Sequence, residues 1–172
     1  MELRVARAIA LQSTLAREVI CKDGFDTVRY VCGIDVRFTE DGLARAAAAV
    51  LTFPRLELCD YAVVRKAVRF PYIPGLLSFR EVPPALAALD KLTVTPGLLL
   101  CDGHGIAHPR RFGLASHIGL LAGIPSIGVA KTRLVGGHAE PRQGRGAWEP
   151  LVDRGERIGA VLRTRTGVRP VY

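Results

Sequence analysis

The sequence predicts an α/β fold built around a mixed sheet. Three strand-like runs follow one another with short separators between residues 28 and 68, which is typical of an antiparallel meander. Further along, two short apolar runs are separated by a helix-like segment, which indicates a parallel crossover. Hydrophobic residues make up 49% of the 172 residues, which excludes wholesale disorder. This length fits one domain spanning residues 1–172.

The first half of the chain predicts one helix and then the three strands. Apolar residues recur at helical spacing over residues 3–20, and Val5, Ile9 and Leu11 belong to this stripe. A Lys-Asp-Gly stretch then interrupts the pattern. Residues 39–42 predict a hairpin turn between the first two strands. The strands are expected at residues 28–38, 45–53 and 58–68.

The second half predicts alternating helices and strands. Ser78 and Glu81 have the spacing of a capping box for a helix that ends near residue 92, with Pro83 and Pro84 in its first turn. A Gly- and Arg-rich stretch at 136–146 predicts a mobile loop. The other elements are strands at 97–101, 124–130, 157–164 and 168–172, and a helix at 110–122. Three antiparallel strands followed by a parallel β-α-β unit, with flanking helices, are also the order of a ribonuclease H-like core.

The charge of the chain favours a polyanionic partner. The formal net charge is +8, and Arg supplies 20 of the 24 cationic residues, Lys only four. The planar guanidinium of Arg suits phosphate, so the bias is compatible with nucleic acid. A genome rich in G and C favours Arg codons as well, and the two explanations stay open.

Composition also bears on location. No apolar run reaches the roughly 18 residues that a membrane span needs, and the N-terminus lacks the features of a signal peptide. Of four cysteines, three stand in apolar stretches and none forms a CxxC pair, which indicates buried reduced thiols. We therefore expect a cytoplasmic protein without a membrane partner.

Three acidic residues stand at unusual places in this pattern. Asp35 interrupts an apolar strand, where a carboxylate needs a cation or a donor; Arg37 is the structural alternative to a metal. Asp102 ends a buried strand, the place where open α/β sheets bind ligands, although a turn with Gly103 explains it too. Glu81 is also explained by helix capping. Together the three carboxylates suit Mg²⁺ and metal-dependent phosphoryl transfer.

The stretch DGHGIAHPRR at 102–111 adds context to Asp102. Its two histidines, His104 and His108, have a spacing found in zinc sites, but their loop setting and the absence of a helical HExxH glutamate argue against zinc. Arg110 and Arg111 are expected to begin a helix, where amides and guanidinium groups favour phosphate. A solvated basic surface is the alternative.

Four blocks give the chain a resemblance to the endonuclease V family. They are GIDV at 33–36, PYIPGLLSFRE at 71–81, DGHGIAHPRR at 102–111 and GVAKTRL at 128–134, and residues 10–12 fit the opening helix of the family. The resemblance spans nearly the whole chain. It implies a Mg²⁺-dependent repair nuclease that recognises deaminated bases, chiefly hypoxanthine in deoxyinosine. Such an enzyme nicks the second phosphodiester bond on the 3′ side of the lesion.

The resemblance also implies roles for individual residues. Asp35, Glu81 and Asp102 would be the metal-binding catalytic carboxylates. His108 and Lys131 would act beside them as phosphate contacts near the scissile bond. The wedge that separates strands at the lesion would be Tyr72, Ile73, Pro74 and Gly75, although a Tyr beside prolines also suits simple turn packing. The remaining substrate-binding positions would be Leu77, Gly103, Arg110 and Gly128, with Gly75 as a member of both sets.

Beyond the position of Tyr172, family members continue with a serine, a glycine-histidine motif and a closing helix. We therefore expect a C-terminally shortened member, which leaves open a nucleic-acid-binding module without turnover. A second alternative is an inosine-specific endoribonuclease. The expected cofactor is Mg²⁺, which Mn²⁺ can replace. The expected partner is DNA that contains deaminated bases, or RNA, and the residues favour a monomer.

Overall fold

The fold centres on a five-stranded mixed sheet. The structure, a computed structural model, describes residues 2–24 and 27–172. The strands lie in the order β3-β2-β1-β4-β5; β1, β2 and β3 are antiparallel, and β4 and β5 run parallel to β1. This confirms the predicted α/β fold with an antiparallel meander and a parallel crossover. The strands are β1 (Tyr30–Phe38), β2 (Leu43–Thr52), β3 (Leu58–Ala67), β4 (Leu98–Cys101) and β5 (Ser126–Gly128).

One face of the sheet is covered by the helices α2 (Ser78–Leu89) and α3 (Leu114–Ala122). Alternate residues of each strand point to this face. The alanines of β2, at positions 44, 46 and 48, are fully buried and small, so α2 can lie close to the strand. Other core side chains are Cys32, Ile34, Val50, Val82, Leu99 and Ile118.

The opposite face of the sheet is open. The strand registers place Tyr61, Ala49, Gly33, Leu100 and Ile127 in one row across all five strands. The three large side chains of this row are exposed. The sheet therefore presents apolar surface on the side toward which Asp35 of β1 also points, because Asp35 has the same strand parity as Gly33.

The first helix, α1 (Glu2–Leu15), does not pack as its sequence predicts. It ends before the predicted boundary at residue 20 and is followed by a short 3₁₀ turn. Ile9 and Leu11 of the predicted apolar stripe are exposed, and the buried residues are Ala8 and Gln12. The docked face is therefore decided by a polar side chain.

Two features predicted for α2, its cap and the place of its prolines, need correction, as does the predicted start of α3. Ser78 makes no capping hydrogen bond, because its hydroxyl lies 3.1 Å from Nδ1 of His117. The two prolines lie inside α2 rather than in its first turn. Helix α3 begins at Leu114 rather than 110, since Arg111 takes a left-handed conformation, with φ 55°, in the turn before it.

The last part of the chain forms a separate hairpin that the sequence predicts only in part. Strand β6 (Trp148–Asp153) is absent from the prediction, and it pairs with β7 (Glu156–Leu162) in a two-stranded sheet. The predicted strand 168–172 reduces to one bridge between Val171 and Leu162. Leu151, Ile158 and Val161 pack with Ala107 in a second small core.

Two predictions from composition can be compared with the structure. Within the described residues, no helix has both the length and the apolar character needed to cross a membrane. All four cysteines are free thiols, but only Cys32 and Cys101 are buried, while Cys21 and Cys59 are exposed. The expectation of three buried thiols is therefore wrong by one, because strand β3 lies at the edge of the sheet.

Candidate active site

Asp35 and Asp102 lie side by side because two parallel strands meet there. Ile34 of β1 pairs with Cys101 of β4, and the Asp102 amide donates a hydrogen bond to the Ile34 carbonyl at 3.2 Å. The next residue of β1 is Asp35, so the two carboxylates occupy adjacent positions at one edge of the sheet. This is the arrangement that the positions of the two residues in the sequence predict.

Glu81 joins these two from the first turn of α2. Its side chain is only 8% exposed. The pKa of Glu81 is raised to about 7, first by burial and then by the negative charges of Asp102 and Asp35, while Arg80 lowers it. Because charge acts on charge at short range, the three carboxyl groups share one neighbourhood. A cation placed among them would be strongly favoured.

Lys131 supplies a positive charge to this neighbourhood. Its Nζ lies 2.6 Å from Oδ2 of Asp102, and this hydrogen bond together with the charge of Asp102 raises the pKa of Lys131. The position of Lys131 follows from the end of β5. The amide of Val129, two residues before Lys131, donates a hydrogen bond to the Cys101 carbonyl, next to Asp102. As placed, Lys131 contacts a carboxylate, so its contact with phosphate stays a prediction. Within the described residues Asp35 forms no ion pair with Arg37.

The acidic cluster fits a hard divalent cation in its chemistry. Carboxylate oxygens are the ligands that Mg²⁺ prefers, and after burial the charges of Asp102 and Asp35 are what raise the pKa of Glu81. Across residues 2–24 and 27–172, however, no three His, Cys, Asp or Glu side chains already lie in a metal-holding arrangement. Asp35, Glu81 and Asp102 are the residues that would hold an ion here.

The predicted wedge lies on the loop 71–75 between β3 and α2. Tyr72 is 68% exposed, and Pro74 is exposed beside it, while Ile73 is half-buried. The Leu76 amide donates to the Ile73 carbonyl at 2.9 Å and closes a turn that places Gly75 at φ 78°. Only glycine adopts this conformation without strain. The turn therefore leaves the aromatic ring of Tyr72 projecting into solvent.

His108 and Arg110 face the loop 71–75 rather than solvent. His108 is 4% exposed; its Nε2 lies 3.1 Å from the Gly75 carbonyl, and its Nδ1 accepts from the Arg110 amide at 3.2 Å. Burial, and then the charge of Arg110, lowers the pKa of His108 to about 4, so the ring is neutral. The Arg110 guanidinium donates to Gln12 and Gly75. Phosphate contacts by either residue stay predictions, and in this structure both side chains have internal partners.

Arg111 is also engaged internally. Its guanidinium pairs with Asp153 at 2.8 Å and with Glu156 at 2.9 Å, at the turn of the β6–β7 hairpin. These two contacts connect the loop after β4 to the hairpin. The expectation that Arg110 and Arg111 begin a helix is wrong, because α3 begins at Leu114. Their contact with phosphate stays a prediction.

The predicted pocket positions surround the backbone after β4. A Cβ at Gly128 would collide with the backbone of Gly103 and Gly105, so glycine is needed there for packing alone. A Cβ at Gly103 would lie 3.0 Å from the Leu114 side chain. Leu77 is exposed at the N-terminus of α2. Close packing therefore explains the glycines at 103 and 128: a Cβ would meet the Leu114 side chain at the first and backbone at the second. Contact of Gly103, Gly128 and Leu77 with a base stays a prediction.

A basic groove lies beside Tyr72 and was not predicted from the sequence. It has a volume of about 540 Å³, and its lining includes Arg4 of α1, Arg69 after β3 and Arg80 of α2. The Arg80 guanidinium lies 4.4 Å from the ring centre of Phe38 and 6.0 Å from that of Tyr72. Among the described residues none of the three arginines pairs with a carboxylate. No local pattern identifies residues so far apart in the chain.

Comparisons with known proteins identify relatives of this chain. The family model for endonuclease V matches residues 13–172. The endonuclease V of Trichormus variabilis is 54% identical over 172 residues, which cover 99% of this chain and 78% of that protein. The solved endonuclease V of Streptomyces avermitilis is 44% identical with a TM-score of 0.90, and the match covers 96% of this chain and 74% of that one.

A second solved structure holds a nucleic acid. It is a Ciona intestinalis endonuclease V variant in complex with a 23mer DNA that contains an inosine followed by a ribo-adenosine. It is 32% identical to this chain with a TM-score of 0.72, and the match covers 79% of this chain and 60% of that one. The family model matches most of the chain, and a relative with 54% identity aligns along 99% of it. The chain therefore belongs to the endonuclease V family.

Proposed function

We propose that the protein is a divalent-metal-dependent endonuclease that recognises deaminated bases in DNA, chiefly deoxyinosine. Cleavage falls at the second phosphodiester bond on the 3′ side of the lesion. The observation that carries the proposal is that Asp35 and Asp102 lie side by side at the ends of the pairing between β1 and β4, with Glu81 of α2 close enough for their charges to raise its pKa. The inosine-containing DNA held by a relative supports the substrate class.

The residues of the chain divide this work between chemistry and recognition. A bound Mg²⁺ ion would polarise a phosphate and lower the pKa of water. Asp35, Glu81 and Asp102 hold the ion, and Lys131 balances their charge. Tyr72 offers an exposed ring that can stack where a base leaves the helix, since stacking offsets part of the energy lost on unstacking. The basic groove beside Tyr72 suits the phosphates of the strand.

A binding module without turnover is the second candidate. Two observations favour it. The Lys131 ammonium group already pairs with the Asp102 carboxylate, and no three metal-ligating side chains among the described residues are arranged around one point. In that case the acidic edge would not hold an ion, while Tyr72 and the basic groove would still contact nucleic acid.

A cleavage assay separates these functions. The protein is incubated with Mg²⁺, with Mn²⁺ or with EDTA, and with DNA that contains one deoxyinosine, RNA that contains one inosine, and unmodified strands of the same sequence. We expect metal-dependent nicking of the deoxyinosine strand at the stated bond. Asp35→Asn and Asp102→Asn should reduce nicking at least 100-fold while they keep binding, because they remove ligands without touching the groove. The matched control is Asp90→Asn, which changes an exposed carboxylate at the end of α2.

The outcomes point in different directions. Binding of both modified substrates without any cleavage would support the module without turnover. Cleavage of the RNA alone would support an inosine-specific ribonuclease. Nicking at the wild-type rate by either Asp variant would contradict the assignment of the metal site.

A further inference from the structure

The loop 71–75 is attached to the rest of the protein at the carbonyl oxygen of Gly75. Nε2 of Gln12 donates to this oxygen at 3.1 Å, and Nη2 of Arg110 donates at 2.6 Å. Nε2 of His108 lies 3.1 Å from the same oxygen and must donate there, because its other ring nitrogen accepts from an amide. Three donors thus converge on one acceptor, directly before α2 begins.

Gln12 is the centre of this arrangement. Its side chain is 1% exposed although it carries a polar amide. Nε2 also donates to the Phe112 carbonyl at 3.1 Å, and Oε1 accepts from Nε of Arg110 at 2.6 Å. Both amide protons and the oxygen are therefore used. One side chain of α1 joins the loop 71–75 to the segment that follows β4.

Helix α1 has little else to hold it. Ala8 and Gln12 are its only buried residues among those described; Leu3, Ile9 and Leu11 are exposed, and Val5 and Leu15 are half-buried. A buried polar group without partners is unfavourable, so the three partners of Gln12 fix both the helix and the loop in one arrangement. The conformation of the loop 71–75 is therefore linked to α1 through the hydrogen bonds of Gln12.

We propose that Gln12 is a positioning residue that holds the loop 71–75 in the conformation that presents Tyr72 to nucleic acid. It acts through the Gly75 carbonyl and through Arg110, and it touches no substrate itself. The step from loop conformation to inosine recognition rests on the proposed function. The step from Gln12 to loop conformation rests only on the hydrogen bonds above.

The test uses the Gln12→Met variant of the full chain, which keeps the side-chain length and removes all three hydrogen bonds. Hydrogen exchange measured by mass spectrometry should be at least 10-fold faster in peptides that cover residues 71–77, while strands β2 and β3 keep their rates. Two controls accompany it. Ser13→Ala changes an exposed neighbour on α1, and Ile118→Val weakens the main core without touching the loop.

The second measurement concerns recognition. We expect the preference for inosine-containing over unmodified DNA to fall about 10-fold in Gln12→Met, with a higher KM and with kcat changed less than 3-fold. A purely structural role would instead lower the amount of active enzyme and leave KM and the preference unchanged, as we expect for Ile118→Val.

Unchanged exchange at 71–77 in folded Gln12→Met would overturn the proposal. Faster exchange with an unchanged inosine preference would overturn the step to recognition. If Gln12→Met does not fold, Arg110→Met, which removes two hydrogen bonds of the same arrangement, is expected to give the same faster exchange. A wild-type protein that ignores inosine would contradict the proposed function, and the exchange comparison would still decide the role of Gln12.

Discussion

Two buried histidines show how strongly position in the fold controls the chemistry of a side chain. His117 of α3 lies between the rings of Phe79 and Phe112, whose centres are 5.2 and 5.0 Å away. Burial lowers the pKa of His117 to about 4, and that of His108 to the same range. Both rings are therefore neutral at pH 7 and act as packed hydrogen-bonding groups.

These pKa values predict that the protein loses stability in mild acid. The unfolded chain takes up protons near pH 6.5, whereas the folded histidines do so only near pH 4, so the free energy of unfolding falls as the pH drops through this window. Between pH 7.5 and pH 5 each histidine should contribute a loss of about 2 kcal/mol. Glu81, whose folded pKa is about 7, takes up a proton in the folded state over the same range and offsets the loss contributed by one histidine. Urea unfolding at both pH values measures the net change, which we expect to remain a loss.

The variant His117→Gln removes one titrating group and keeps a partner for Ser78. We expect the stability difference between the two pH values to shrink by about 2 kcal/mol in this variant. Ser13→Ala changes an exposed side chain that does not titrate; it serves as the control and should leave the difference unchanged. An equal pH dependence in His117→Gln and the wild type would show that the ring is not buried as described.

At the scale of elements, the β6–β7 hairpin depends on a buried arginine. Arg163, directly after β7, is 3% exposed. Its guanidinium donates to Glu140 at 2.6 Å, to the Arg142 carbonyl at 2.9 Å, and to the carbonyls of Pro141 and Val168. These contacts hold residues of the stretch 136–146, which the sequence predicts to be a mobile loop. The Gly- and Arg-rich composition of this stretch predicts mobility, because it does not show that a residue 21 or 22 positions away donates to its carbonyls.

We expect Arg163→Met to destabilise the protein by about 3 kcal/mol, since several buried carbonyls lose their donors. Trypsin should then cleave at Arg142 and Arg145 at least 10-fold faster. The control is Arg165→Met, an exposed arginine two residues away. Limited proteolysis and thermal unfolding measure the two effects, and equal cleavage rates for the two variants would contradict the role of Arg163.

At the scale of the whole molecule, the net charge of +8 is not spread evenly. The basic groove collects arginines from α1, from the segment after β3 and from α2 beside the exposed Tyr72. The acidic edge of the sheet adjoins this groove. Arg80 lines the groove, and the next residue of α2, Glu81, belongs to the acidic cluster. The arrangement places phosphate-attracting and cation-attracting surfaces next to each other.

The groove predicts a change in the salt dependence of binding. In Arg4→Ala/Arg69→Ala, the slope of log K against log salt should fall by about 1.4 for a single strand, since each lost phosphate contact contributes about 0.7. Fluorescence anisotropy with an inosine-containing strand in EDTA measures the slope without cleavage. The control is Arg55→Ala/Arg145→Ala, two exposed arginines outside the groove. A slope that falls equally in both double variants would remove the groove from the binding surface.

The success of sequence-based prediction differs between the parts of this chain. The strands of the meander and the irregular loop 71–75 were predicted, because alternation, Pro and Gly act over a few residues. The capping role of Ser78 at the start of α2 was predicted wrongly, since its hydroxyl lies against the ring of His117 on α3 rather than its own backbone. The docked face of α1 was also predicted wrongly, since apolar spacing does not show which neighbour a helix meets.

The succession of elements in the main sheet, the carboxylates of Asp35 within a strand and of Asp102 after one, and the family resemblance all follow from local sequence patterns. Folding brings Gln12 to Gly75 and Arg110, gathers three arginines around one groove, and places Lys131 on Asp102. The physical reason is range. Backbone preferences act between near neighbours, whereas each of these contacts joins side chains that only the packed sheet and helices bring within hydrogen-bonding distance.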